Sequence, residues 1–126
     1  MTDRAAAEDW LRRYVVAWDS NRPDDIRGLF TEDAVYRAWP GDPQPWVGHD
    51  GIVAGWLAHA DEPDDHEFEW SMLAVDGDVA IARCVTTYLE SPPVVYDNLF
   101  VVRLDDDGRA TEFTDWVIRR DPGGVA

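Results

Sequence analysis

The chain has 126 residues, 45% of them hydrophobic and 12% aromatic, with 26 acidic and 11 basic side chains for a formal charge of −15. That length fits one domain over 1–126, with an ordered core from about 3 to 120, and the apolar content excludes disorder. The negative charge disfavours nucleic acid and anionic membrane surfaces as partners, and every basic residue is Arg.

Cys84 is the single cysteine, so no intrachain disulfide forms, and a lone Cys in an apolar run reads as a small core residue. No apolar run approaches the roughly 18 residues of a membrane span, and the charged start lacks a signal core, so a cytoplasmic protein is expected.

Residues 3–19 predict a first helix, with Trp10, Leu11, Tyr14, Val15 and Trp18 at helical spacing. Asn21-Arg22-Pro23 ends it and opens a short second helix with Ile26, Leu29 and Phe30 inward. Thr31-Glu32-Asp33 reads as a turn into a strand from Ala34 to Trp39. The loop holding Pro40, Gly41, Pro43 and Pro45 reads as a pocket rim, with Trp39 and Trp46 at its edges. Gly48 opens a third helix carrying Ile52, Val53, Trp56, Leu57 and Ala60, and residues 61–65 form a charged linker.

From His66 the period changes from 3.6 to 2. Strands are expected over His66–Val75, with Phe68, Trp70 and Met72 on one face, then Val79–Glu90, Val94–Leu104 and Ala110–Arg119. Asp76-Gly77 is a two-residue hairpin signal, and residues 105–108 turn into the closing strand. Helices followed by a run of antiparallel strands indicate an α+β domain with the helices on one face of the sheet.

The closing strand contains the sharpest chemical signal. Asp115 is in step with Phe113 and Val117, which places a carboxylate on an apolar face. Burial raises a carboxyl pKa from about 3.9 toward the range of a general base, whereas a salt bridge to Arg83 or an exposed edge makes it merely structural. Arg83 shares a face with Ile81 and Val85, which suggests an inward pair with Asp115 or a covered dimer face. Asn98 is in step with Phe100 and Val102 and is a candidate to orient a ligand carbonyl, though the alternation alone leaves open whether Asn98 or Asp97 points inward. Trp18, Tyr36, Trp39, Trp56, Trp70 and Phe100 are candidate walls of an apolar cavity, each also readable as ordinary core. His49, His59 and His66 have no metal-site spacing, residues 105–107 lack the pattern of a calcium loop, and there is no phosphate cradle or nucleophile elbow, so neither metal nor cofactor is expected.

Tyr14-Val15-Val16-Ala17-Trp18, Ile26 with Leu29-Phe30-Thr31-Glu32-Asp33-Ala34, Gly48 with Ile52, and Asp107-Gly108-Arg109 before Phe113-Thr114-Asp115-Trp116 resemble the nuclear transport factor two-like superfamily. This superfamily includes SnoaL-like polyketide cyclases, ketosteroid isomerases and limonene-type epoxide hydrolases. The resemblance implies a cone-shaped, curved, mostly antiparallel sheet with three N-terminal helices on its concave face, a cystatin-like α+β roll. Arg13-Tyr14 is similar to the Arg-Tyr pair of the isomerases, where Tyr donates to a developing enolate oxygen. The isomerase base position falls on Ala38, and its second oxyanion donor falls near Asn98 or Phe100. Asp115-Trp116 is similar to the Asp-Tyr pair on the last strand of the epoxide hydrolases, with Arg83 the candidate for their arginine and Val85 in place of their second aspartate. The implied function is a cofactor-independent isomerase, cyclase or hydrolase of a hydrophobic small molecule, with Asp115, Tyr14 and Arg83 as its chemical groups and a homodimer formed through the sheet face. The alternatives are a non-catalytic binding module and a structural homodimer of the same fold.

Overall fold

A computed structural model describes residues 2–62 and 64–120. Helix α1 (Arg4–Ser20) begins at Asp3, whose side chain accepts from the Ala6 N–H at 2.8 Å, and ends at Asn21 in a left-handed conformation (φ 52°). Its stripe of Ala7, Trp10, Leu11, Tyr14 and Ala17 is buried, as the helical spacing requires. Pro23 starts α2 (Pro23–Arg27), which buries Ile26. The remaining elements are β1 (Phe30–Arg37), β2 (Trp46–Val47), α3 (Gly48–Ala58), β3 (His66–Asp76), β4 (Val79–Tyr88), β5 (Val94–Leu104) and β6 (Ala110–Arg119).

The sheet order is β2-β1-β6-β5-β4-β3, with β1 and β6 parallel and all other neighbours antiparallel. This is the expected α+β architecture, an open curved sheet with the N-terminal helices on its concave face. β1 starts four residues earlier than the sequence suggests. Thr31-Glu32-Asp33, which reads as a turn, lies inside the strand at an irregularity between Phe30 and Val35. β2 is too short to give a periodic signal and exists through two rungs with β1, Val35 opposite Val47 and Tyr36 opposite Trp46. Pro63, in the acidic linker, lies outside the described residues.

Large and small side chains alternate across the concave face. Ala82 lies between Met72 and Phe100, and Cys84 between Trp70 and Asn98. The small residues of β4 leave room for Phe100, which meets Tyr14 of α1 at 5.2 Å between ring centroids and Phe113 of β6 at 4.9 Å. Trp10 closes this core by donating from Nε1 to the Leu29 carbonyl at 2.9 Å. Arg13, next to Tyr14, turns away and donates to the Gly28 and Gly108 carbonyls at 3.2 and 2.7 Å, tying α1 to the end of α2 and to the β5–β6 hairpin.

Candidate active site

The parallel ladder between β1 and β6 ends at Arg37 opposite Thr114, whereas β6 continues beside β5 to Arg119. Past that rung β6 has one strand neighbour instead of two, so its inward side chains leave the packed core. Phe113 is fully buried, Asp115 half-buried and Val117 exposed. A cavity of about 580 Å³ opens where β1 stops, within the size range of small-molecule sites. Tyr14 and Trp18 of α1, Trp56 of α3, Tyr36 of β1 and Trp46 of β2 are its walls. Thr86, Asn98, Phe100 and Asp115 are its floor, and Asp61, Asp65, Glu90, Tyr88 and Tyr96 surround its mouth.

The Asp115 carboxylate is held by a single neutral group. Asn98 Nδ2 donates to its two oxygens at 3.1 and 3.3 Å. The Asn98 carbonyl oxygen accepts from Thr86 Oγ1 at 3.0 Å, which fixes the amide with its NH2 toward Asp115. Burial pushes the Asp115 carboxyl up to about 6, and the Asn98 hydrogen bond pulls in the opposite direction. Among the described residues no cation pairs with Asp115.

The Tyr14 and Tyr36 hydroxyls both face the cavity and are raised above the ordinary phenol range. Burial is the main cause for each. The neighbouring phenol and then the Asp115 charge add to it for Tyr14, and the Asp115 charge does so for Tyr36. Both remain protonated donors at neutral pH. The Cys84 thiol is also raised by burial and then by Asp115, so it stays neutral and is a poor nucleophile.

Tyr14, Trp18, Tyr36, Trp56, Asn98, Phe100 and Asp115 therefore converge on one cavity. Three residues singled out in the sequence do not. Arg83 is on the convex face, its side chain 57% exposed and 3.7 Å from Asp97, and so is separated from Asp115 by the sheet. The inward phase of β4 belongs to Ala80, Ala82, Cys84 and Thr86, because bulky neighbours interdigitate there and Arg has no space. The same register settles the ambiguity on β5, with Asn98 inward and Asp97 outward. Trp39 lies beyond the end of β1 and is 53% exposed. Trp70 faces inward and packs against the core without lining the cavity.

Trp46 takes the position expected of Trp39. Its ring stacks on Tyr36 at 4.6 Å and lies so close over Gly55 of α3 that a methyl group there would overlap the indole. Thr86 and Tyr88 were legible only as polar residues in the phase of Ala82 and Cys84. Asp61, in the linker, gave no sequence signal; its Oδ2 accepts from Trp18 Nε1 at 3.2 Å and from the Tyr88 hydroxyl at 2.9 Å. Among the described residues, no three or more His, Cys, Asp or Glu are grouped to hold a metal ion.

Residues 11–113 match the SnoaL-like domain family. No curated protein matches the sequence. Among solved structures, the chain is similar to SalBIII, an epoxide hydrolase/cyclase-like enzyme in pyran ring formation of the polyether salinomycin. That likeness has 16% identity, covers 94% of this chain and 95% of the other, and has a TM-score of 0.74. A ketosteroid isomerase-like protein from Erwinia carotovora atroseptica is 22% identical over 90% of this chain and 95% of its own, with a TM-score of 0.64. An NTF2-like protein of unknown function from Mesorhizobium loti is 26% identical over 94% of this chain and 96% of its own, with a TM-score of 0.65. The family match runs from Leu11 in the first helix to Phe113 in the last strand, and by it the chain belongs to the SnoaL-like domain family.

Proposed function

We propose that this protein is a cofactor-independent isomerase, cyclase or hydrolase acting on a hydrophobic small molecule, with Asp115 as its general base. The observation that carries the proposal is the Asp115 environment: a half-buried carboxylate on a cavity floor, held by one amide, with its pKa raised to about 6. At neutral pH such a group is mostly ionised, yet far more basic than an exposed aspartate, which suits it to take a proton from carbon or from water. Tyr14, backed by Tyr36, supplies a donor for the oxygen that gains charge, and the Asn98 amide keeps the base aimed. Arg83 has no part in this site. Solved proteins of the same fold include cyclase-like and isomerase-like members.

Asp115→Asn tests the proposal. It preserves the volume and the hydrogen bond to Asn98, so ligand binding should persist while turnover of a substrate found by screening enones and epoxides falls by about 10²–10⁴-fold. Full turnover by that variant would sink the proposal. The aromatic walls of the cavity favour one second reading, a binding module without chemistry. That reading predicts ligands that bind the wild type tightly and are recovered unchanged.

The proposed homodimer rests on the convex face, where Trp116 and Ile118 are 48% and 69% exposed. A light-scattering mass of one chain at micromolar concentration would remove it.

A further inference from the structure

The cavity's lining combines two chemistries and lacks a third. Aromatic rings come from Trp18, Trp46, Trp56 and Tyr88, and carboxylates from Asp61, Asp65 and Glu90 surround the mouth. No Arg lines it, although all 11 basic residues of the chain are Arg. Arg13 binds backbone carbonyls, Arg83 and Arg120 hold Asp97, and Arg37 and Arg103 reach Glu112. Arg119, in step with Val117 on β6, is exposed and outside the lining. Among the described residues the one basic group in the lining is His59, exposed at the end of α3 with its ring nearly parallel to Trp46 at 6.0 Å.

The mouth carboxylates are occupied by donors other than Arg. Asp61 accepts from Trp18 and Tyr88, and Asp65 from the Glu62 N–H and a His66 ring nitrogen. Glu90 has no ion-pair partner among the described residues. Carboxylates in a recess with apolar walls concentrate negative potential, and the net charge of −15 adds to it. Aromatic faces attract cations through the ring quadrupole. A hydrophobic anion would meet these carboxylates and Asp115 with no Arg to offset the loss of its hydration.

We propose that the cavity takes a hydrophobic organic cation. Its apolar body lies against Trp46, Trp56 and Phe100, and its protonated amine or quaternary ammonium sits at the mouth among Asp61, Asp65, Glu90 and the Tyr88 ring. This rests on the reading of the cavity as a small-molecule site and adds the charge of the molecule. With the ammonium at the mouth, the carbon skeleton extends inward to Asp115.

Three probes with one skeleton separate charge from shape: naphthylmethylamine, naphthylmethanol and naphthoate, titrated calorimetrically into the full chain near neutral pH. The amine should bind about tenfold tighter than the alcohol, a difference within reach of one partly desolvated ionic contact, and naphthoate should bind weakest. Glu90→Gln, an exposed substitution, and added salt should each reduce the amine's advantage over the alcohol about threefold. An alcohol that binds as tightly as the amine, or a carboxylate that binds best, overturns the inference and leaves the cavity reading standing. An amine preference that survives both Glu90→Gln and high salt also overturns it, since the mouth carboxylates would not be its source. If none of the three binds, the small-molecule reading fails and the cation inference falls with it.

Discussion

Asp97 and Asp115 lie on adjacent strands of one sheet, on opposite faces, and their surroundings push them in opposite directions. On the convex face, Asp97 receives Arg120 Nε and Nη2 at 2.7 and 2.8 Å, with Arg83 at 3.7 Å. The Arg120 hydrogen bonds, with the two guanidinium charges, hold its carboxyl below the usual range. On the concave face, Asp115 receives an amide and no guanidinium, and burial raises it. The difference shows that strand position alone does not set a carboxyl's proton affinity. Asp115 is set apart by poor hydration without a counter-charge, because Arg37, Arg83 and Arg103 face outward and Arg119 is exposed outside the cavity lining.

The strongest way to break the contrast is to make the concave face more acidic. Asn98→Asp replaces the one donor to Asp115 with a second carboxylate, and the pair then shares a proton. Urea unfolding should show a loss on the order of 3 kcal/mol at mildly alkaline pH, largely recovered in acid, where the shared proton is bound.

Removing the concave charge has a smaller effect of opposite sign. Because the native state raises this carboxyl to about 6, it holds a proton that the unfolded chain has already released, so stability falls as pH rises from about 4 to 6. Asp115→Asn should therefore be more stable than the wild type above pH 6, by on the order of 1–2 kcal/mol after allowing for partial hydration at the cavity. The gain should vanish below about pH 4. A variant that loses activity while gaining stability would mark the position as one where function opposes folding.

The convex acid should give the smallest response. A depressed carboxyl adds stability above the usual carboxylate range and loses it as pH falls, the reverse of Asp115. Asp97→Ala should shift the neutral-pH urea midpoint slightly downward, near the resolution of the measurement, because its partners are exposed. An unchanged Asp115 titration by carboxyl NMR would confirm that the two faces are electrostatically separate.

Local patterns made most of the fold legible. The α1 stripe, the hairpin at Asp76-Gly77, and the bounds of β5 and β6 follow from periodicity and turn chemistry that need no distant partner. Legibility ended where a partner decides the outcome. β2 exists only through its pairing with Tyr36 and Val35, and Thr31–Asp33 is carried within the strand by the β6 rungs on either side of it, Phe30 opposite Ala110 and Val35 opposite Glu112. Arg83 was misplaced because an aliphatic phase was equated with the interior. In β4 the larger aliphatics Ile81 and Val85 face outward, and the interior takes alanines that fit between Met72 and Phe100. The site followed the same rule. Asp115 and Asn98 were visible as polar residues in apolar phases, whereas Asp61 became visible only once the linker was seen folded against Trp18 and Tyr88.

The distribution of indoles has a practical consequence. Of the seven Trp residues, Trp18, Trp46 and Trp56 line the cavity, Trp10 is sealed in the core, and Trp39 and Trp116 are largely exposed. The cavity indoles are also fixed in distinct ways: Trp18 donates to a carboxylate, Trp56 to the Asn21 side-chain oxygen, and Trp46 is stacked on a phenol. An occupant that displaces water from these rings changes their polarity while leaving Trp10 untouched. The protein thus carries its own optical reporter, and its intrinsic emission offers a label-free screen for whatever the cavity holds.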